Sequence, residues 1–145
     1  MELSNLIGAL TGTVFFVLAI LVFIFRLLRN PNVEKWLGIF ELLLAVPLIW
    51  MLINAAAEKR PLLYYIQVTF VLLWLLVVLL LDYILHFDFR QTRWMVILFV
   101  VLFFAASGGL VGIASNAGQG WSIIAIILFF ITAFLAFLQR KLTGK

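Results

Sequence analysis

Residues 94–139 read WMVILFVVLFFAASGGLVGIASNAGQGWSIIAIILFFITAFLAFLQ, and none of them is charged. A helix crosses the hydrocarbon core of a bilayer with about 20 apolar residues, so this run is too long for one crossing and has room for two. The polar stretch at 115–120 contains asparagine and glycine, which end helices and form turns. The run therefore predicts two membrane-spanning helices, over about 93–115 and 120–139, with a tight turn between them.

Three further apolar stretches precede this run, separated by charged residues and short turns. They predict spans over about 4–28, 35–57 and 62–86, each long enough to cross a membrane. Apolar residues make up 67% of the chain and charged residues 11%, whereas an ordinary soluble domain is roughly 45–50% apolar. A soluble chain of this size has too little interior to bury such an excess. The sequence therefore predicts an all-α polytopic membrane protein, in which residues 1–145 form a single transmembrane bundle of five helices.

Two helix starts carry local signals. After the turn at Asn30 and Pro31, Asn32 is expected to cap the second helix by accepting a hydrogen bond from a backbone N–H of its first turn. The pair of Asp88 and Gln91 resembles a capping box and predicts that the fourth helix begins nearby. Connections this short make consecutive helices antiparallel.

Basic residues are distributed unequally between the two ends of the predicted bundle. With five spans, the end that holds the N-terminus carries only Lys59 and Arg60. The opposite end carries the other basic residues, which are Arg26, Arg29, Lys35, Arg90, Arg93, Arg140, Lys141 and Lys145. Because cytoplasmic loops are enriched in Lys and Arg, we expect the N-terminus outside, the C-terminus inside and the protein in the inner (cell) membrane.

The composition removes several classes of function. The chain has no cysteine, which excludes disulfides, thiolate zinc sites and iron–sulfur ligation. The one histidine, His86, cannot supply both axial ligands of a haem, and the sequence has no zinc-protease, phosphate-loop or Ser/His/Asp motif. We therefore expect no cofactor, no metal site and no catalytic residue. The net charge of +4 requires no nucleic-acid partner, because basic residues in the loops of a membrane protein follow its orientation.

Ionisable residues within the spans are the first candidates for chemistry, because each is costly inside a bilayer unless it is paired or hydrated. Glu41 interrupts the second span. Gly38 and Ala45 lie on the same helical face, which suggests a close helix neighbour or a polar ligand beside this carboxylate. The alternatives are that Glu41 extends to the interface or pairs with Arg26 at the end of the first span.

Asp82 and His86 are one helical turn apart near the end of the third span, where the carboxylate can hydrogen-bond the imidazole. We expect this pair either to be solvated at the interface or to act as a proton relay or a pH-sensitive latch. Arg26, Glu41, Asp82 and His86 are all predicted at the cytoplasmic end. One ion-pair network could therefore close the bundle there.

A second candidate site lies in the other half of the bundle. Pro47 removes a backbone hydrogen bond from the middle of the second span and predicts a kink, although prolines also occur in purely structural membrane helices. Pro47, Trp50 and Asn54 share one helical face, and Gln67 of the third span lies at a comparable depth. These four residues are predicted to line a cavity that binds a ligand.

Small residues predict where helices approach closely. Gly8 and Gly12 form one GxxxG pattern in the first span, and Gly108 and Gly112 form another in the fourth. Membrane helices pack tightly at such positions because the backbones can come near one another. The two patterns are expected either to pack inside one bundle or to mediate contact with a second copy.

Taken together, these features favour a small non-catalytic membrane protein that binds a lipophilic ligand, a lipid or a partner membrane protein. The expected partners are membrane lipids and either a second copy of the chain or a partner membrane subunit. The alternative is a minimal oligomeric channel or proton-coupled transporter that uses Glu41 with Asp82 and His86. An enzyme that acts on a lipid is a more distant alternative, because the sequence offers no motif that brings two polar groups together.

Overall fold

The computed structural model describes residues 3–84 and 93–143, and within these ranges the chain is helical. The elements are α1 (Leu3–Leu27), α2 (Pro31–Leu42), α3 (Ala45–Ala55), α4 (Leu62–Val78) continued by a π-helical segment (Leu79–Ile84), α5 (Arg93–Ser115) and α6 (Gln119–Thr143). Five helical segments are long and apolar enough to cross a membrane: Asn5–Leu27, Asn32–Ala55, Leu62–Leu81, Arg93–Ser115 and Gln119–Leu142. The predicted fold class of five membrane-spanning helices is confirmed.

The second span consists of two helices, because α2 ends at Leu42 and α3 begins at Ala45. Proline at position 47 has no backbone N–H to donate to the carbonyl of Leu43, and its ring crowds that carbonyl. The carbonyl of Leu43 instead accepts from the N–H of Val46 at 3.2 Å, which is a tighter turn than that of an α-helix. Pro47 thus interrupts the span at the position where a kink is expected.

The connection between α1 and α2 differs from the sequence prediction by two residues. Arg29 adopts a left-handed conformation with φ of 56° and ends α1. Asn30, and not Asn32, caps α2, since its side-chain oxygen accepts from the N–H of Val33 at 3.4 Å. The physical reason is that Pro31 is favoured at the first position of a helix, where no N–H is needed. The predicted capping box that begins at Asp88 lies outside the described residues.

α1 is the central helix of the bundle and packs against α2, α3, α5 and α6, while α4 packs against α3 and α5. Its buried face carries Phe15 and Phe16, which are fully enclosed. The ring of Phe15 lies 5.3 Å from that of Trp74 in α4, and Trp74 lies 5.3 Å from Phe103 in α5. Edge-to-face contacts between such rings add to the energy of packing, so these aromatic residues join three helices.

Glycines in α1 and α5 mark the closest helix contacts, but the two predicted patterns do not meet glycine to glycine. A Cβ atom added at Gly8 would lie 2.7 Å from Cγ2 of Ile113 in α5. In α5, Gly109 and Gly112 face Gln67 of α4, whereas a Cβ at Gly108 would meet nothing within 4 Å. The prediction that Gly108 packs inside the bundle is therefore wrong for the described chain. Adjacent helical residues are rotated by about 100°, and this rotation turns Gly109 inward and Gly108 outward.

The contrast between these two neighbours gives a matched test of packing. Replacing Gly109 with Leu should destabilise the bundle by about 1–3 kcal/mol, the usual cost of overpacking, because the new side chain would collide with the backbone of Gln67. Replacing Gly108 with Leu adds the same side chain in open space and serves as the control. Thermal unfolding in mild detergent measures both, and equal melting temperatures for the two variants would contradict the described α4–α5 contact.

Candidate ligand-binding cavity

A partly open cavity of about 370 Å³ lies at one end of the bundle. At this end α1 ends, α2 begins and α6 ends, and we call it the basic end because Arg26, Lys35 and Arg140 lie there. Six of the residues that line the cavity are polar or charged: Arg26, Glu34, Lys35, Glu41, Gln139 and Arg140. Six others are aromatic: Phe23, Trp74, Phe99, Phe103, Phe104 and Phe137. The cavity is therefore amphipathic.

The charged residues of the lining are placed by the helix ends. Arg26 lies in the last turn of α1 and Arg140 in the last turn of α6, where the negative end of the helix dipole favours a cation. Glu34 lies in the first turn of α2, where the positive end of the dipole favours an acid. The polar mouth of the cavity thus follows from helix termini that meet at one end of the bundle.

An ion pair joins the end of α1 to the start of α2. Both Nε and Nη2 of Arg26 lie 2.7 Å from Oε1 of Glu34, and the two side chains are largely shielded. The guanidinium also lies 5.7 Å from the ring centroid of Phe23. The hypothesis that Arg26 pairs with Glu41 is therefore wrong, because the guanidinium donates to Glu34 in the first turn of α2. The sequence gives no signal for this pairing, because Arg26 and Glu34 lie on different helices.

Glu41 is the buried carboxyl of the site, since only 6% of its surface is exposed. Its Oε1 atom is buried and has no hydrogen-bond partner. Arg26 is near enough to act on it electrostatically, but the hydrogen bonds of that guanidinium go to Glu34. Gly38 lines the same cavity, as the shared helical face of these two residues predicts. Glu41 therefore has a buried carboxyl oxygen for which the described residues provide no hydrogen-bond partner.

Trp74 supplies a second unused polar atom. It lines the cavity, is 6% exposed and carries a buried Nε1 atom without a hydrogen-bond partner. Its ring lies 5.8 Å from that of Phe99 and 5.3 Å from that of Phe103. Sequence reasoning missed these aromatic residues, because a Trp or Phe within an apolar span looks like any other core residue. Only the arrangement of α1, α4, α5 and α6 brings the rings to one cavity.

The other residues of the predicted ion-pair network are only partly described. Asp82 lies in the π-helical segment, but its side chain and the whole of His86 are outside the described residues. Val78, the residue before this segment, lines the cavity. π-helical turns are rare in proteins, and those that occur are frequently found at functional sites. The segment that carries Asp82 begins at the residue after Val78, so it adjoins the wall of the cavity.

None of the four residues predicted to bind a ligand lines this cavity. Trp50 is exposed on the bundle surface, and Nδ2 of Asn54 donates to the carbonyl of Trp50 at 2.8 Å within the same helix. Gln67 packs against Gly109 and Gly112 of α5. Pro47 acts on the backbone of the second span, as described above. This cavity therefore lies toward the end of the bundle opposite to the predicted site.

No family model, curated protein or solved structure matches this chain. The fold and the cavity define a multi-pass membrane protein with an amphipathic cavity between its helices.

The ion pair at the cavity mouth makes a quantitative prediction. In a double-mutant cycle of Arg26→Gln and Glu34→Gln, the effects on unfolding free energy should be non-additive by about 0.5–3 kcal/mol, as expected for contacting residues. Lys141→Gln removes a positive charge from an exposed position at the same end and should show no coupling to Glu34→Gln. Denaturant or thermal unfolding in detergent measures these energies, and additive effects of the first pair would show that the contact contributes nothing.

Proposed function

We propose that this protein is a small, non-catalytic membrane protein that binds a lipophilic ligand in the cavity at the basic end of its five-helix bundle. The observation that carries the proposal is the cavity itself. Its volume of about 370 Å³ falls within the roughly 300–1,000 Å³ range of small-molecule sites. Such sites are mostly apolar, with a few polar groups that orient the ligand, and this lining of aromatic rings around Glu41 and Trp74 has that character.

The position of the cavity supports a ligand that partitions into a membrane. Its walls come from α1, α2, α4, α5 and α6, all parts of membrane-length helical segments. The apolar part of the ligand would contact rings such as Phe103 and Phe104, while its polar group would lie toward the charged residues where the helices end. A lipid or another amphiphile has this division of polar and apolar parts.

We place the basic end in the cytoplasm and the protein in the inner (cell) membrane. The support is the excess of Lys and Arg at that end of the chain, which is typical of cytoplasmic loops. The partners proposed are membrane lipids and either a second copy or a partner subunit. Gly108, which faces away from the bundle, would permit close approach of another helix.

Filling the cavity tests the proposed function. Ala136 lines the cavity on α6, whereas Ala133 is half-buried on the same helix and is not part of the lining. A ligand that binds only the folded protein raises its melting temperature. We expect Ala136→Phe to reduce the upward shift that dodecyl-chain amphiphiles cause in the wild type, because the added ring occupies their space. Ala133→Phe should keep that shift.

Thermal unfolding with increasing ligand concentration measures the shift, and native mass spectrometry from mild detergent reports any small molecule that stays bound. An identical shift in the wild type and Ala136→Phe would place lipophile binding outside this cavity and would contradict the proposal.

One observation favours a second candidate, a minimal channel or proton-coupled transporter. Glu41 is a buried carboxyl beside a partly open cavity, and intramembrane acids commonly belong to ion or proton pathways. Asp82, in the π-helical segment that follows the cavity wall, and His86 are the further groups proposed for such a pathway. The same cavity would then be part of the route by which an ion or proton crosses the protein, and not a site where a ligand stays bound.

Glu41→Gln distinguishes this candidate from ligand binding alone. If Glu41 carries protons, the variant should lose proton flux in proteoliposomes while it unfolds at a temperature close to that of the wild type. Glu58→Gln, at the opposite end of the bundle, is the control and should leave flux intact. Flux that survives in Glu41→Gln would remove this residue from any coupling mechanism.

A further inference from the structure

One polar atom inside the cavity, Oε1 of Glu41, indicates which ligand group would bind beside it. Oε1 of Glu41 is buried and unpartnered, although burial of a polar atom without a hydrogen bond costs free energy. An ionised carboxyl only accepts hydrogen bonds, and a cation beside it favours that ionised form, so a hydrogen-bond donor would satisfy Oε1. The ligand should therefore present an N–H or O–H at the position of Glu41.

The surroundings of Glu41 favour a charged donor over a neutral one. A hydrogen bond with one ionised partner is roughly twice as strong as a neutral one, and a cationic donor adds its Coulomb attraction to the carboxylate. In addition, aromatic rings attract cations through their faces, and this cavity is lined by Trp74 and five phenylalanines. The lining already shows such a contact, because the guanidinium of Arg26 lies over the ring of Phe23 at 5.7 Å.

The basic residues of the same cavity do not occupy this position. Arg26 directs Nε and Nη2 to Glu34, at 2.7 Å. Lys35 is exposed at the start of α2, six residues before Glu41 and therefore about 9 Å away along the helix axis. Arg140 lies in the last turn of α6, where the helix ends. Apart from these basic residues and Glu34, the polar part of the lining is the buried carboxyl of Glu41 and the buried amide of Gln139, and aromatic rings surround them.

We infer that the cavity recognises an ammonium group carried on an apolar body. The N–H of the ammonium donates to Oε1 of Glu41, and the apolar body lies along Trp74 and Phe103. This inference rests on the proposed function, because it names the ligand class for the same cavity. A small lipophilic amine and the headgroup of an aminophospholipid both offer this chemistry.

Three probes that each have twelve carbons in a linear chain and differ in the headgroup test the inference. Dodecylamine carries an ammonium, dodecanol a neutral hydroxyl and dodecanoate a carboxylate. Binding is measured by thermal shift and by native mass spectrometry on the intact chain in mild detergent. We expect dodecylamine to bind at least about tenfold more tightly than dodecanoate, which is the effect of one charge-assisted hydrogen bond.

The Glu41→Gln variant should lose this preference by a similar factor, while the control Glu58→Gln, which changes an acid outside the cavity lining, should retain it. A preference for dodecanoate or dodecanol in the wild type overturns the inference without any variant. The inference is also overturned if Glu41→Gln melts at the wild-type temperature and keeps the wild-type preference for dodecylamine.

The same measurements separate the possible outcomes. If none of the three probes binds, or if Ala136→Phe binds them all as the wild type does, the proposed ligand-binding function fails. If binding occurs but the ammonium is not preferred, only the ligand class fails. Phosphatidylethanolamine that stays bound through purification identifies a lipid headgroup as the source, whereas dodecylamine binding without retained phosphatidylethanolamine identifies a small amine.

Discussion

Hydrogen bonding in the absence of water is the constraint on which this structure depends. Inside a bilayer, backbone N–H and C=O groups must find partners within the protein, and the described spans meet this requirement as helices. Polar side chains follow the same rule: the hydroxyls of Thr13 and Thr132 donate to carbonyls one turn earlier, at 2.9 and 2.7 Å. Glu41 and Trp74 depart from it at the cavity, because each has a buried polar atom without a partner, and Tyr64 and Ser107 do so elsewhere in the bundle. The cavity beside Glu41 is the space in which a ligand could complete this requirement.

Shape complementarity holds the helices together, since lipid chains are as apolar as the side chains they would replace. Toward the end opposite the cavity, glycine allows close contact, as between Gly8 and Ile113 or between Gly112 and Gln67. At the basic end the space between helices is bordered by aromatic rings and long charged side chains, and about 370 Å³ stays unfilled. The same bundle is thus tightly packed in one half and open to a ligand in the other.

The sequence predicted the break in the second span, because one residue decides it. Pro47 interrupts the second span because proline cannot complete the helical hydrogen bond in any context. Predictions that depended on the rotation of a helix were less successful. Gly109 and not Gly108 faces α4, Gln67 packs on glycine, and Asn54 donates to a carbonyl of its own helix. Helical periodicity shows which residues of one helix share a face, but it does not show which neighbouring helix packs against that face.

The sequence alone determined the five membrane-length helices and identified Glu41 as a candidate functional residue. Both are local properties, set by the length of uncharged runs relative to the bilayer and by the cost of a carboxyl within one of them. Only the tertiary structure decided that Glu34 is the partner of Arg26 and that Trp74 and Phe103 border the cavity with Glu41. These residues come from four different helices, and their meeting depends on how the helices pack, which no single stretch of the chain encodes.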